Sequence, residues 1–194
     1  MKYTPREGIY LIEEHFDRIK SSAIRFNYQF DENQARALLS EIESDKPLKI
    51  RLIVNKGGDP KLEVLPLSSS RKEVKLKLAK YPVDSRNIFL FHKTTNREVY
   101  DRAKKGVFDC DDVLLFNESG QITETSIANI FLEKEGSLFT PPVECGLLPG
   151  TLRASMLKKK EVSEKILSLD DFLIADRIFV GNSVRGLQLA NLIK

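Results

Sequence analysis

The sequence predicts a mixed α/β (α+β) protein of two small lobes, an N-terminal α/β lobe over residues 1–84 and a strand-rich C-terminal lobe over residues 85–194. Three observations favour this fold class. The early segments have helical periodicity, the period changes to two near residue 48, and the pattern breaks at Pro82 and Asp84. A length of 194 residues is enough for a buried core, but length alone leaves open one domain or two lobes.

Two amphipathic helices and a hairpin account for the first lobe. Residues 14–26 carry apolar side chains at helical spacing, and Asp31 can cap a second helix over the apolar positions that follow it. Alternation over residues 48–54 predicts a strand, and residues 61–67 form its hairpin partner across a glycine turn. We expect residues 74–78 to continue the same sheet.

Short apolar runs separated by turns predict the second lobe. We expect strands over residues 88–91, 112–116, 122–132 and 177–180, and helices over residues 95–106, 151–159 and 169–175, the last capped by Asp. The strand at 122–132 is expected to pair with its predecessor. Two loops, at residues 148–153 and 181–186, suit an anion, and the first of them opens onto a helix N-terminus.

Composition excludes several classes of function. The net charge of +3 comes from interleaved acidic and basic residues, which argues against nucleic-acid binding, and the run 158–160 is a solvated helix end. Two cysteines without metal spacing favour a reducing cytosol. The start is polar and no apolar run approaches 18 residues, so we expect a cytoplasmic protein without a membrane segment. Two histidines exclude a multi-histidine metal site, and no phosphate-loop, dinucleotide or serine-hydrolase motif is present.

Five ordered segments carry a resemblance to a known family. They are residues 14–23 (EHFDRIKSSA), 91–97 (FHKTTNR, followed by Tyr100), 124–131 (ETSIANIF), 140–153 (TPP, then GLLPGTLR) and 182–186 (NSVRG). The second resembles the lysine segment of aminodeoxychorismate lyases, including those fused to aminodeoxychorismate synthase. On these motifs the sequence is identified as a member of aminotransferase class IV, the fold type IV enzymes that use pyridoxal 5′-phosphate (PLP). The resemblance implies a cofactor cleft between the two lobes.

The resemblance assigns roles that the residues alone do not reveal, since each residue by itself is an ordinary surface, strand or turn residue. Lys93 is the lysine that forms the Schiff base with PLP and then moves protons. Glu124 pairs with the pyridine nitrogen of PLP, and Arg18 meets the phosphate.

The remaining assignments concern the phosphate and the substrate. By resemblance, the backbone amides of Thr151 and Leu152, with Ser183, complete the phosphate site. Arg97 and Arg185 are candidate substrate-binding residues. We assign no ligand role to Asn129, which we expect to be structural.

Two reactions are compatible with these residues. The residues of the segments HKTTNR (92–97) and NSVRG (182–186) resemble those of lyases. They favour a lyase that converts 4-amino-4-deoxychorismate to 4-aminobenzoate and pyruvate for folate biosynthesis. A branched-chain or D-amino-acid transaminase uses the same cofactor-holding residues, so these residues do not separate the two reactions.

One departure from the family pattern favours a further alternative. Family members usually carry another strand, with a threonine-rich F-x-T-x-R-like segment, ahead of the EHFDRI helix, whereas this sequence starts almost at that helix. A catalytically weak PLP-binding module therefore stays open, as does a partnership with an aminodeoxychorismate synthase component. The resemblance also implies a homodimer.

Overall fold

The computed structural model describes residues 1–69 and 71–193. The chain divides into two compact units, residues 1–69 and residues 70–194. The first contains β1 (Lys2–Thr4), β2 (Gly8–Ile9), α1 (Ile12–Phe26), α2 (Glu32–Ser40), β3 (Leu48–Val54) and β4 (Pro60–Pro66). The second contains β5 (Glu73–Leu78), α3 (Ile88–Phe91), α4 (Glu98–Lys104), β6 (Asp112–Phe116), β7 (Ile122–Thr125), β8 (Asn129–Lys134), β9 (Ser137–Thr140), a 3₁₀ turn (Val143–Cys145), α5 (Thr151–Lys158), β10 (Ser163–Glu164), α6 (Leu169–Leu173), β11 (Arg177–Asn182) and β12 (Gly186–Leu192).

The first unit is an antiparallel sheet with two helices. Its strands lie in the order β2-β1-β3-β4, and the predicted hairpin forms between β3 and β4. Asp31 accepts hydrogen bonds from the amides of Asn33 and Gln34, so the predicted cap of α2 is confirmed. Phe16 and Ile50 are almost fully buried, which places the core between α1 and β3. The short strands β1 and β2 precede α1 and were not predicted from the sequence.

The second unit is built on a closed ring of strands. Its sheet runs β10-β9-β8-β11-β12-β5-β6-β7, and β7 pairs again with β8, so six strands from β8 to β7 close on themselves. The interior of the ring is filled by buried apolar side chains: Leu76, Leu114, Ile122, Ile130, Val180 and Ala190. The helices α3 and α4 pack outside against Val113 and Leu115, and α5 packs outside against Phe131 and Phe179.

The boundary between the units differs from the sequence expectation. The sequence places it after Asp84, whereas the units divide after Ser69. The difference comes from β5, which we expected to continue the first sheet but which pairs in parallel with β12 and β6. The parallel partners of β5 lie 36 or more positions further along the chain and leave no local pattern in the sequence. The alternation therefore predicts that β5 is a strand, but not which sheet it joins.

Three local predictions in the second unit are wrong. Residues 88–91 form a helical turn instead of a strand, because the Asn87 side chain accepts from the Phe89 amide and caps it, and four apolar residues cannot distinguish the two structures. The expected strand at 122–132 is two strands, since the chain reverses over residues 126–128 and β7 pairs with β8. The helix expected over residues 169–175 with an Asp cap spans residues 169–173 and is capped by Ser168 instead. Asp171, the third residue of the helix, completes the capping box.

None of the helices within residues 1–69 and 71–193 is long and apolar enough to cross a membrane.

Candidate active site

The centre of the candidate site is Glu124, whose side chain lies on the outer face of the strand ring. Ile122 points into the ring, and the register of β6 and β7 shifts between the pairs Leu114–Thr125 and Phe116–Ile122. Such a bulge re-aims side chains, and it turns Glu124 outward toward Tyr100 of α4. Glu124 as a whole is nevertheless only 3% exposed, because α4 and the loop before α5 cover it.

Three donors converge on the Glu124 carboxylate. The Tyr100 hydroxyl donates to Oε1 at 2.8 Å, and the Leu148 amide donates to the same oxygen at 3.1 Å. The side-chain amide of Asn129 donates to Oε2 at 3.4 Å. A buried carboxylate needs such partners, since an unpaired charge in an apolar setting is costly.

Burial dominates the acidity of Glu124. Desolvation raises the pKa of its carboxyl from 4.5 to about 8, although the bonds from Tyr100 and Leu148 and the positive charges of Lys93 and Arg97 lower the pKa. The group therefore binds a proton near neutral pH, and an added positive charge beside it would favour the ionised form. A strongly shifted carboxyl with a nearby lysine is typical of a functional site.

Lys93 lies in the segment between α3 and α4, and its side chain is exposed. Its positive charge lowers the pKa of the Glu124 carboxyl, against the larger raising effect of burial. The α3 turn and α4 hold this segment at both ends, and Leu90 and Tyr100 anchor the two helices in one buried cluster. The predicted lysine and glutamate therefore lie within electrostatic reach of each other.

Arg97 is engaged by the protein itself. Its guanidinium lies over the Tyr100 ring at 4.3 Å and donates to the carbonyl oxygen of Ser126. The carbonyl belongs to the turn between β7 and β8, so Arg97 ties α4 to the strands that carry Glu124. Contact of Arg97 with a substrate stays a prediction.

Asn129 joins Glu124 to the start of α5. It is paired across the ladder with Glu124 on one side and Gly181 on the other. Its amide donates to the Leu148 carbonyl at 2.9 Å, and a Cβ built on Gly150 would lie 2.0 Å from its Oδ1. Only glycine fits at residue 150, so the loop before α5 is held against β8.

The N-terminus of α5 carries the predicted phosphate amides. Gly150 is the residue before the helix, and Thr151 and Leu152, both buried, are its first two members. The first amides of a helix have no carbonyl partner within it and attract anions. Arg153 is buried in the same turn and anchors the helix by donating to the Pro141 carbonyl at 2.7 Å and to Glu164.

The turn after β11 carries Ser183 and Arg185. The Asn182 side chain accepts from the amides of Val184 and Arg185, each at 3.0 Å, and donates to the Ile127 carbonyl at 3.3 Å. Ser183 is buried there. Gly181 of β11 pairs with Asn129 of β8, and Asn129 in turn pairs with Glu124 of β7. Ser183 follows Gly181 by two residues, so the turn starts close to this pair of strands.

Seven of the eight predicted site residues belong to the second unit: Lys93, Arg97, Glu124, Thr151, Leu152, Ser183 and Arg185. The segments that carry these seven residues are connected to Glu124 or Asn129 by direct contacts, by strand pairing or by the effect of a charge. Arg18 lies on α1 of the first unit, where its guanidinium is 3.4 Å from Nδ1 of His15, and its role stays a prediction. Tyr100 and Asn129 were named from the sequence, but not as residues that both bond Glu124, because contacts across 24 and 5 positions through a bulged sheet leave no local pattern.

Among the residues that the structure describes, no group of three or more His, Cys, Asp or Glu side chains could hold a metal ion.

Comparison with known proteins gives the family. The family model described as "Amino-transferase class IV" matches residues 1–193. A Schizosaccharomyces pombe protein named "Putative aminodeoxychorismate lyase" is 28% identical over 191 residues, covering 91% of this chain and 81% of that protein. A Thermotoga maritima protein named "Probable branched-chain-amino-acid aminotransferase" is 31% identical over 193 residues, covering 89% of this chain and 68% of that protein.

A solved structure agrees along the whole length. The Mesorhizobium loti "Putative amino-acid aminotransferase" superimposes with a TM-score of 0.94 at 35% identity, covering 100% of this chain and 97% of that one. The mixed α/β fold predicted from the sequence is thereby confirmed. The chain belongs to the amino-transferase class IV family.

Proposed function

We propose that this protein binds PLP through Lys93 and converts 4-amino-4-deoxychorismate to 4-aminobenzoate and pyruvate. The observation that supports PLP most strongly is the buried Glu124, which three donors hold and on which the Lys93 charge acts. Within this family, a buried carboxylate and a lysine whose charge acts on it fit the ring nitrogen and the aldehyde group of PLP.

The donor set of the second unit fits PLP at three points. Glu124 would accept from the ring nitrogen, and its raised pKa would fall again beside that positive charge. The amides of Thr151 and Leu152, with Ser183, would hold the phosphate. The amine of Lys93 would bond the aldehyde carbon of the cofactor.

The proposed reaction requires a group that accepts a proton and a group that pairs with the ring nitrogen of the cofactor. When bound, PLP withdraws electrons from the substrate carbon that bears the amino group, which makes the proton on that carbon removable. The Lys93 amine would accept this proton. Glu124 would hold the proton on the ring nitrogen. The enolpyruvyl group leaves with its ether oxygen and a returned proton as pyruvate, and the ring becomes aromatic 4-aminobenzoate.

A transaminase is the second candidate. The same residues would hold PLP, and the Thermotoga maritima and Mesorhizobium loti relatives are both named as aminotransferases. The two reactions differ in where the proton is returned, so Lys93 and Glu124 serve either. The segments HKTTNR and NSVRG favour the lyase.

Absorbance titration tests the cofactor first. We expect a visible band when PLP is added to the protein and its loss in Lys93→Ala. The matched control is Lys105→Ala, which removes another exposed lysine of the same unit and should keep the band. A band that persists in Lys93→Ala would contradict the proposal.

Product assays then separate the two reactions. Pyruvate and 4-aminobenzoate formed from 4-amino-4-deoxychorismate, without a 2-oxo acid acceptor, would support the lyase. Amino transfer from leucine to 2-oxoglutarate, with no pyruvate from 4-amino-4-deoxychorismate, would support the transaminase. Binding of PLP with neither activity would support the weak PLP-binding module.

We also infer a homodimer from the family resemblance, with an aminodeoxychorismate synthase component as a candidate partner. The two cysteines without metal spacing favour a cytoplasmic location. Light scattering of the purified protein tests the dimer, and a mass of 22.1 kDa would contradict it.

A further inference from the structure

The two oxygens of the Glu124 carboxylate are unequally used. Oε1 accepts from Tyr100 at 2.8 Å and from Leu148 at 3.1 Å, which fills its two lone pairs. Among the residues that the structure describes, Oε2 accepts only the longer bond from Asn129, at 3.4 Å. The described contacts thus leave accepting capacity on Oε2, the oxygen that is available for a further donor.

We propose that Tyr100 is a positioning residue that acts through Glu124, because its hydroxyl fixes Oε1 and thereby presents Oε2 to the ring nitrogen of the cofactor. This inference rests on the proposed function, since it assumes that PLP is the molecule that Glu124 meets. Tyr100 itself would not touch the cofactor or the substrate.

The Tyr100 hydroxyl has one fixed direction. The side chain is 5% exposed and packs in the buried cluster with Leu90, Ala103 and Val113. The Arg97 guanidinium covers its ring at 4.3 Å and is itself held by the Ser126 carbonyl. The buried packing of the side chain and the guanidinium over its ring leave the hydroxyl little freedom to turn away from Glu124.

Tyr100 also stays a donor at every working pH. Burial, the negative charge of Glu124 and the hydrogen bond to it all raise the pKa of the phenol above its ordinary value. The other groups that face Glu124 are the cations Lys93 and Arg97 and the neutral Asn129 and Leu148 amides. Removal of the phenol oxygen therefore removes one donor and leaves the surrounding charges as they are.

Titration of the Glu124 carboxyl in cofactor-free protein tests the inference directly. Infrared difference spectra would follow the carboxyl, and Glu124→Gln would identify its band. In Tyr100→Phe the ring and its Arg97 contact remain, and we expect the midpoint to rise by about one pH unit, as loss of one hydrogen bond to a charged group implies. Tyr81→Phe makes the same change at an exposed tyrosine and should leave the midpoint unchanged.

PLP affinity supplies the second measurement. We expect Tyr100→Phe to bind PLP about ten-fold more weakly at pH 7.5, with the pH dependence of binding displaced upward by the same amount as the carboxyl midpoint. A role of Tyr100 confined to packing would lower the melting temperature and leave both pH profiles in place. That result, or an unchanged midpoint in Tyr100→Phe, would overturn the inference.

A second variant keeps the test informative if Tyr100→Phe does not fold. Difluorotyrosine at position 100 retains the hydroxyl and makes it a stronger donor, so the Glu124 midpoint should fall instead of rise. Failure of the unsubstituted protein to bind PLP would overturn the proposed function together with the cofactor part of this inference. Normal binding with unchanged profiles in both variants would overturn the inference alone.

Discussion

Substitution of Gly150 by alanine should destabilise the protein through one named contact. The backbone there has φ −67° and ψ 141°, which alanine adopts without strain, so the cost is steric. The added Cβ would lie 2.0 Å from Oδ1 and 3.2 Å from Cγ of Asn129. The Asn129 side chain must then move, and it gives up its bonds to Leu148 and Glu124. Overpacking of this kind costs about 1–3 kcal/mol.

A double-mutant cycle isolates that contact. Asn129→Ala removes the side-chain atoms that the new Cβ meets, and the next neighbours lie no closer than 3.8 Å. In this background Gly150→Ala should become neutral or stabilising by about 0.4–1 kcal/mol, since alanine restricts the unfolded chain. The coupling energy should reach about 2 kcal/mol.

Urea denaturation of the four proteins measures the cycle. Gly57→Ala is the control for loss of a glycine, because its Cβ would meet nothing closer than 3.4 Å. An equal cost of Gly150→Ala in both backgrounds would refute the role of Asn129 in holding the loop.

Two further predictions concern β7. Thr123→Val should stabilise the protein by about 1 kcal/mol, because the hydroxyl is fully buried and has no hydrogen-bond partner within the described residues. Urea denaturation measures the change. A destabilised variant would show that the hydroxyl is bonded. The free energy of unfolding of cofactor-free protein should fall between about pH 4.5 and pH 8, because folded Glu124, with its raised pKa, holds a proton that the unfolded chain releases. At about 1.4 kcal/mol per pH unit the upper limit of this fall is about 5 kcal/mol, and Glu124→Gln should abolish it; an identical pH dependence in that variant would mean that another group is responsible.

Sequence patterns predict those elements whose determinants are local. The α2 cap lies within three residues of Asp31, and the β3–β4 hairpin turns within five residues, so both are visible in the sequence. The parallel partners of β5 and the reversal at residues 126–128 depend on distant strands and were predicted wrongly. An apolar run continuous through a tight reversal has the same composition as one long strand.

The candidate site was predicted through family motifs rather than through physical pattern. Lys93 and Glu124 are separated by 31 positions and carry no local mark of their proximity, so only the ordered motifs pointed to both. Tyr100 stands in the lysine motif but its partner is fixed by the β7 bulge, which the sequence does not reveal. Arg97 was expected to meet the substrate, and its stacking on Tyr100 depends on the packing of α4.

Covalent trapping tests the central claim most directly. The protein would be mixed with PLP, reduced with borohydride so that the bond to lysine becomes permanent, digested, and mapped by mass spectrometry. We predict one modified site at stoichiometric PLP, in the peptide that contains Lys93. Modification spread over exposed lysines, or an unmodified Lys93, would contradict the account.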